Sequence, residues 1–287
     1  MRRFALLLLL VAMLLCRDNL HAQQRVGADT VLQLVPGSGQ NVGQGVVFFP
    51  RNVLGMPDTS ARGDKPAVDP RSVCSIGLGG RIIIGFTRHA VVDTPGDDLV
   101  IYENAFRYAG TRIYAEPAEI SVSKDGLTWT AFPCDGRTLR GCAGVTPTDP
   151  ALPNGGGDAF DLASIGVDSV RWIRIVDVTQ RILDDPTHPL YDPTLSGFDL
   201  DAVVALHAAR VVDALQCTFD PADERFDVGV PVSTSATMHV YDVRGTLLQE
   251  RRLDAGITTV DASTLPVGFL LVQISTPTST YVTRVLR

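Results

Sequence analysis

The residues best suited to chemistry in this chain are acidic. Asp97 and Asp98 precede Glu103-Asn104 by about one strand length, Asp158 and Asp161 form a second pair, and Asp199 and Asp201 a third. Oxygen donors of this kind suit a hard cation. Calcium takes roughly six to eight oxygens from carboxylates, carbonyls and amides. The ligand set expected for a structural calcium ion is Asp98, Glu103, Asn104, Asp158, Asp199 and Asp201, with Asp199 and Asp201 at its centre. In GFDLDAVVAL, strand alternation puts Asp199 and Asp201 on one face. Two close carboxylates buried together need a cation or a shared proton. Parity works against Asp98 and Glu103, which point to opposite faces of one regular strand. The bland reading is that these acids begin turns and cap strands.

Nucleophilic and metal-hydrolase chemistry finds no pattern here. The chain contains no GxSxG, no HExxH and no P-loop. His89, His188 and His207 stand alone. A glycosidase needs two carboxylates spaced across a cleft, and the acids present fit that demand too loosely to name a pair. Carbohydrate sites usually set an aromatic platform beside polar loop residues. Tyr108, Tyr114 and Tyr191 read as loop residues and are the candidate ligand contacts. Trp129 and Trp172 fall in strand patterns and are expected in the core.

Of five cysteines, Cys16 lies in the leader, leaving Cys74, Cys134, Cys142 and Cys217. An even number in an exported chain points to disulfides. Cys134 and Cys142 enclose CDGRTLRGC and are the better pair, with a Cys74–Cys217 bridge as the remainder. No CxxC occurs, which disfavours structural zinc.

The elements that must position these groups are strands. Arg81 to Phe86 and Asp98 to Asn104 are apolar on both faces, as central strands of a layered sheet are. EISVSKDGLTWTAF reads as a hairpin turning at Lys124-Asp125-Gly126, with Leu127 and Trp129 resuming the apolar alternation. DSVRWIRIVDV is another strand, with Ile173 and Ile175 on one face. Arg62-Gly63-Asp64 reads as a polar turn rather than an adhesion motif. From about Asp213 the texture changes to some six short strands in roughly 75 residues. No long segment of helical period appears.

The fold class expected is therefore all-β, a jelly-roll-like β-sandwich at 23–212 followed by a small immunoglobulin-like β-sandwich at 213–287. Residues 1–22 read as a signal peptide, with basic Arg2-Arg3, an apolar run Phe4 to Leu15 and cleavage after Ala22. No later stretch is long and apolar enough to cross a bilayer. Net charge is −7, with 32 acidic and 25 basic residues and no basic stripe, which disfavours nucleic-acid binding.

The tail resembles the type A sorting domain of the type IX secretion system. The matching pieces are TFDPADERFDV, MHVYDVRGTLL, LDAG, LPVGFLLVQI and YVTRVLR, in that order. Asp220 stands where Asn is usual, and Phe269 where the family shows Gly-x-Tyr. The resemblance implies export through the periplasm by the type IX machinery acting on residues 217–287, then secretion or attachment to the outer cell surface. The larger part resembles bacterial cell-surface proteins of unassigned activity, through NVLGMP, SIGLGGRIIIGF, GDDLVIYEN, EPAEISVSKDGLTW, CAGVTP, GGGDAFDLA, VRWIRIVDV and GFDLDAVVAL. Within it, SVSKDGLTW and VRWIRIVDV are similar to galactose-binding-like, discoidin-like jelly rolls. That resemblance implies loops at one end that bind ligands, and an ion between early and late strands. The reading that follows is a secreted or surface-attached, non-catalytic module for glycan or another extracellular ligand. Its alternatives are a carbohydrate-active hydrolase using an acidic pair and a purely structural surface protein.

Overall fold

A computed structural model describes residues 25–287 apart from 40, 59, 61, 150, 232 and 233. The leader assigned to residues 1–22 lies outside the described residues. The chain divides into two compact units. One comprises the chain up to Gly85 together with Val91–Ala208; the other comprises Phe86–Ala90 and Ala209–Arg287.

The strands of the first part of the chain are β1 (Val26–Gly27), β2 (Thr30–Val35), β3 (Cys74–Ser75), β4 (Arg81–Gly85), β5 (His89–Val92), β6 (Leu99–Glu103), β7 (Phe106–Tyr108), β8 (Arg112–Tyr114), β9 (Ala118–Ser123), β10 (Thr130–Ala131), β11 (Asp158–Phe160), β12 (Ser169–Val170), β13 (Trp172–Asp177), β14 (Asp199–Ala205) and β15 (Ala208–Arg210). The tail adds β16 (Gln216–Asp220), β17 (Arg225–Val230), β18 (Ala236–Tyr241), β19 (Leu247–Leu253), β20 (Gly256–Asp261), β21 (Phe269–Ser275) and β22 (Thr280–Leu286). Among the described residues, helical structure is confined to short turns such as Gln180–Leu183. The protein is an all-β sandwich.

Two antiparallel five-stranded sheets build the first unit. One runs β1-β14-β6-β11, with β3 also pairing β14; the other runs β10-β9-β13-β4-β2. Alternation explains their inner faces. Ile82 and Ile84, Ile120 and Val122, and Ile173 and Ile175 are all enclosed, as are Leu99, Ile101 and Val203. The β6 strand is buried at every position: beside Leu99 and Ile101 on one face, its Val100 and Tyr102 form a second buried cluster with Ala202, Val204 and Leu206. In β4 the second face is only half covered: Arg81 and Ile83 are partly exposed. No helix among the described residues is long and apolar enough to cross a membrane.

The structure lengthens the expected hairpin turn. Asp125 Oδ1 accepts the amides of Leu127 and Thr128, each at 2.8 Å, and curls the chain on itself. The strand therefore resumes only at Thr130, and Leu127 is left 83% exposed. The tryptophans also depart from expectation: neither belongs to the core, and both are half-buried. The tail holds one strand more than anticipated, because the entry Gln216–Asp220 pairs with β17. It forms two sheets, β16-β17-β20 and β19-β18-β21-β22, around Phe226, Val228, Met238, Val240, Leu270, Val272 and Ile274.

Candidate functional site

The six residues expected to hold one ion do not meet. They fall in four places, each explained by its backbone surroundings.

The first place is deep in the first unit. Glu103 ends β6 and Asp199 begins β14, so the antiparallel pairing of these strands brings them together. Asp199 donates its amide to Glu103 Oε1 at 3.2 Å. Its own carboxylate accepts from the Ser75 hydroxyl, with the Asn104 amide beside it. Asn104 is otherwise taken up with Ala67, accepting its N–H at 2.6 Å and donating to its carbonyl at 2.8 Å. A third acid, Glu116, lies beside them and accepts from the amides of Ser196 and Gly197. All three acids are nearly or fully enclosed. Burial pushes the Glu103 carboxyl well up, with Glu116 and Asp199 adding like charge. Burial, then Asp199, pushes Glu116 up to about 8. Burial also raises Asp199. Glu103 Oε2 is enclosed without a hydrogen-bond partner.

Asp201 goes elsewhere. The β14–β6 register shifts between Leu200 and Ala202, leaving Asp201 as the extra residue of a bulge. The shared face predicted for Asp199 and Asp201 is lost with the regular alternation. Both Asp201 oxygens accept the amide of Asp58, at 3.0 and 3.1 Å. Burial raises this carboxyl to about 7. Asp158 is occupied separately by the amides of Val145 and Thr146, and burial raises it too.

Asp98 forms the fourth place. One oxygen from each of Asp93, Asp98 and Asp161 lies within 4.8 Å of the others. Asp98 is fully buried and accepts the amides of Thr94 and Leu162, each at 2.9 Å; Asp161 caps the short turn at Leu162–Ile165. Among the described residues this trio has cation spacing, and the enclosed group around Glu103 does not converge so closely. The trio keeps Asp98 from the predicted set and adds Asp93 and Asp161, the latter noted in sequence only as part of an acidic pair.

The tyrosines are partly corrected. Tyr108 and Tyr114 sit on strands, not loops, in the β7–β8 hairpin. Tyr114 stacks on Phe106 at 5.1 Å between ring centroids and meets Tyr108 edge-on at 6.4 Å. Tyr108 donates its hydroxyl to Asp192 at 3.0 Å, and Tyr114 to the Thr194 carbonyl at 2.7 Å. Arg112 lies over the Tyr108 ring and donates to the Tyr191 carbonyl at 3.1 Å. The hairpin is thus fastened to the 191–194 loop. Tyr114 and Tyr191 pack on the same small core as the Cys134–Cys142 disulfide, which forms as expected. Cys74 and Cys217 are buried free thiols, so the remaining bridge does not form.

Sequence reasoning missed Glu116 and Asp177. Asp177 accepts from Gly79, Thr179 and the Phe198 amide. Its signal was present: it continues the inward parity of Ile173 and Ile175. Glu116 follows a strand in an irregular segment, where no period marks an inward side chain.

No family model and no curated protein matches this sequence. Among solved structures, similarity is found to β-glucuronidases. That of Faecalibacterium prausnitzii has 9% identity and a TM-score of 0.23, over 94% of this chain and 47% of that one. That of Parabacteroides merdae has 10% identity and a TM-score of 0.24, over 91% and 36%. This chain spans less than half the length of these structures, and at such TM-scores the likeness carries no argument about function.

Proposed function

We propose that this protein is an exported, non-catalytic binding module displayed outside the cell, with calcium as a structural ion. The observation that supports a non-catalytic reading is the enclosure of its acids. A glycosidase holds two carboxylates across a cleft open to a sugar. Here Glu103, Glu116 and Asp199 are 2%, 4% and 9% exposed, and the bonds they accept come from backbone amides and a hydroxyl inside the fold. The ligand-facing surface in this reading is the hairpin of Phe106, Tyr108 and Tyr114 with the Tyr191 loop, where rings, Arg112 and Asp192 lie side by side. A glycan array followed by product analysis tests the reading. Binding without released sugar is expected; released sugar overturns it in favour of the hydrolase.

Calcium fits the Asp93, Asp98 and Asp161 trio, whose oxygens have the spacing and hardness the ion requires. The ion would tie the segment after β5, the start of β6 and the turn after β11. Thermal unfolding in calcium against EDTA is expected to show a higher midpoint with calcium, because a ligand bound only to the folded state stabilises it. Asp161→Asn should remove the difference. An identical midpoint for the unaltered chain in both buffers would dismiss the ion.

A further inference from the structure

We propose that the outer face of the sheet β10-β9-β13-β4-β2 is a second binding surface, for an anionic glycan, distinct from the tyrosine hairpin. It shares with the proposed function only the premise that the first unit binds extracellular ligands.

Register fixes what this face displays. Across it run Ser121, Arg174, Ile83 and Gln33 in one row, with Glu119, Val176, Arg81 and Val35 in the next. Trp172 and Gly85 share a third row. A side chain at Gly85 would put its Cβ 2.5 Å from Trp172 Cε3, so the indole lies directly on the glycine. Trp129 is set above Arg174, whose guanidinium lies 4.6 Å from the ring centroid. Two large aromatic side chains thus remain half-exposed on a sheet face, with Val35, also exposed, in the Arg81 row.

The charge of the face supplies the partner's sign. Arg174 donates one bond, to Ser121 Oγ at 3.3 Å, and Arg81 one, to the neutral Gln33 amide at 3.3 Å. Neither enters an ion pair among the described residues. The acid on the face, Glu119, is paired with Arg181 at 2.7 Å. Two guanidinium groups therefore stand uncompensated, diagonal to each other on adjacent strands, in a chain of net charge −7. A guanidinium offers five N–H donors in a fork that matches carboxylate or sulfate oxygens. Indole faces accept the apolar faces of sugar rings. Rings for the sugar beside cations for the acid group fit a polysaccharide bearing carboxylates or sulfates.

The test uses the full chain and three probes, polygalacturonate, dextran sulfate and neutral dextran, in titration calorimetry at low and high salt. Binding to at least one polyanion and not to dextran is expected, weakening with salt as exposed charge pairs do. Arg174→Ala and Trp129→Ala should each weaken it by about tenfold or more, the scale of one charge-assisted or cation–π contact. Arg137→Ala, which breaks an ion pair with Asp185 elsewhere, should leave it unchanged. Preference between the two polyanions then names the acid group. Unaltered thermal midpoints in the variants separate lost binding from lost folding. No binding of either polyanion, equal binding of dextran, or full binding by both variants overturns the proposal. Failure of both polyanions beside a neutral glycan captured on the array and lost in Tyr114→Ala would overturn it while leaving the module reading intact.

Discussion

Glu103 is the residue on which the interior chemistry turns. One of its oxygens is bonded to the Asp199 amide and the other is enclosed without a partner. An ionised carboxylate in that position is costly, and two acidic neighbours make it costlier. The group settles the cost by keeping protons. For a carboxyl whose pKa is raised by folding, the folded state holds a proton that the unfolded chain has already lost. Stability is then full at low pH and falls as pH rises between the unfolded and folded values. For Glu116 that window opens near the ordinary 4.5 and closes near 8. Thermal unfolding in EDTA should therefore give a lower midpoint at pH 9 than at pH 6. Glu116→Gln keeps an oxygen for the amides of Ser196 and Gly197 but has no proton to lose, so its profile should be flatter. A wild-type midpoint that rises over this range would contradict the assignment.

At the scale of elements, loops are held by side chains that have no period. Asn52 is 5% exposed, and its side-chain amide donates to the carbonyls of Gly43, Pro70 and Val73 at 2.8 to 3.0 Å. It closes a long segment that carries little regular structure. Asn52→Ala leaves those buried carbonyls unpaired and should destabilise by about 1–3 kcal/mol, read as a lower denaturant midpoint with an unchanged slope. A loss below about 0.5 kcal/mol, the range of ordinary surface substitutions, would show that the segment stands without it. This is also where sequence legibility ends. The strands β4, β6, β9, β13 and β14 were readable because alternation of Ile, Val and Leu announces an inner face. The site was readable only in pieces. Glu103 and Asp199 are strand ends, and their meeting is set by the β14–β6 register, which no local pattern carries. The bulge at Asp201 and the Asp125 turn each shift a strand by tertiary or side-chain bonding, so parity arguments failed at both. Trp129 and Trp172 misled because a place in a strand pattern suggested the core, whereas Gly85 provides an outer surface for one indole to rest on.

At the scale of the whole molecule, the relevant fact is that the tail has a core of its own. Phe226, Val228, Val240, Val260, Leu270 and Val272 are fully or almost fully enclosed within it. Seven antiparallel strands supply that core from local pairings, β16 with β17, β18 with β19 and β21 with β22. A unit with its own core can be presented to a partner, or removed, as one piece. This is the property a sorting signal needs if its cargo is to cross a membrane already folded. On the proposal that the protein is exported, with the tail as the sorting signal its sequence resembles, truncation after Gln216 should leave the protein in the periplasm, detected by fractionation, while the full chain reaches the medium or the outer surface. Because Phe86–Ala90 groups with the tail, the truncated chain must also be probed with protease in the periplasmic fraction. A resistant, retained fragment assigns the defect to sorting; a degraded one assigns it to lost packing around Phe86. Normal secretion of the truncated chain would remove the sorting role and leave the tail as a structural sandwich.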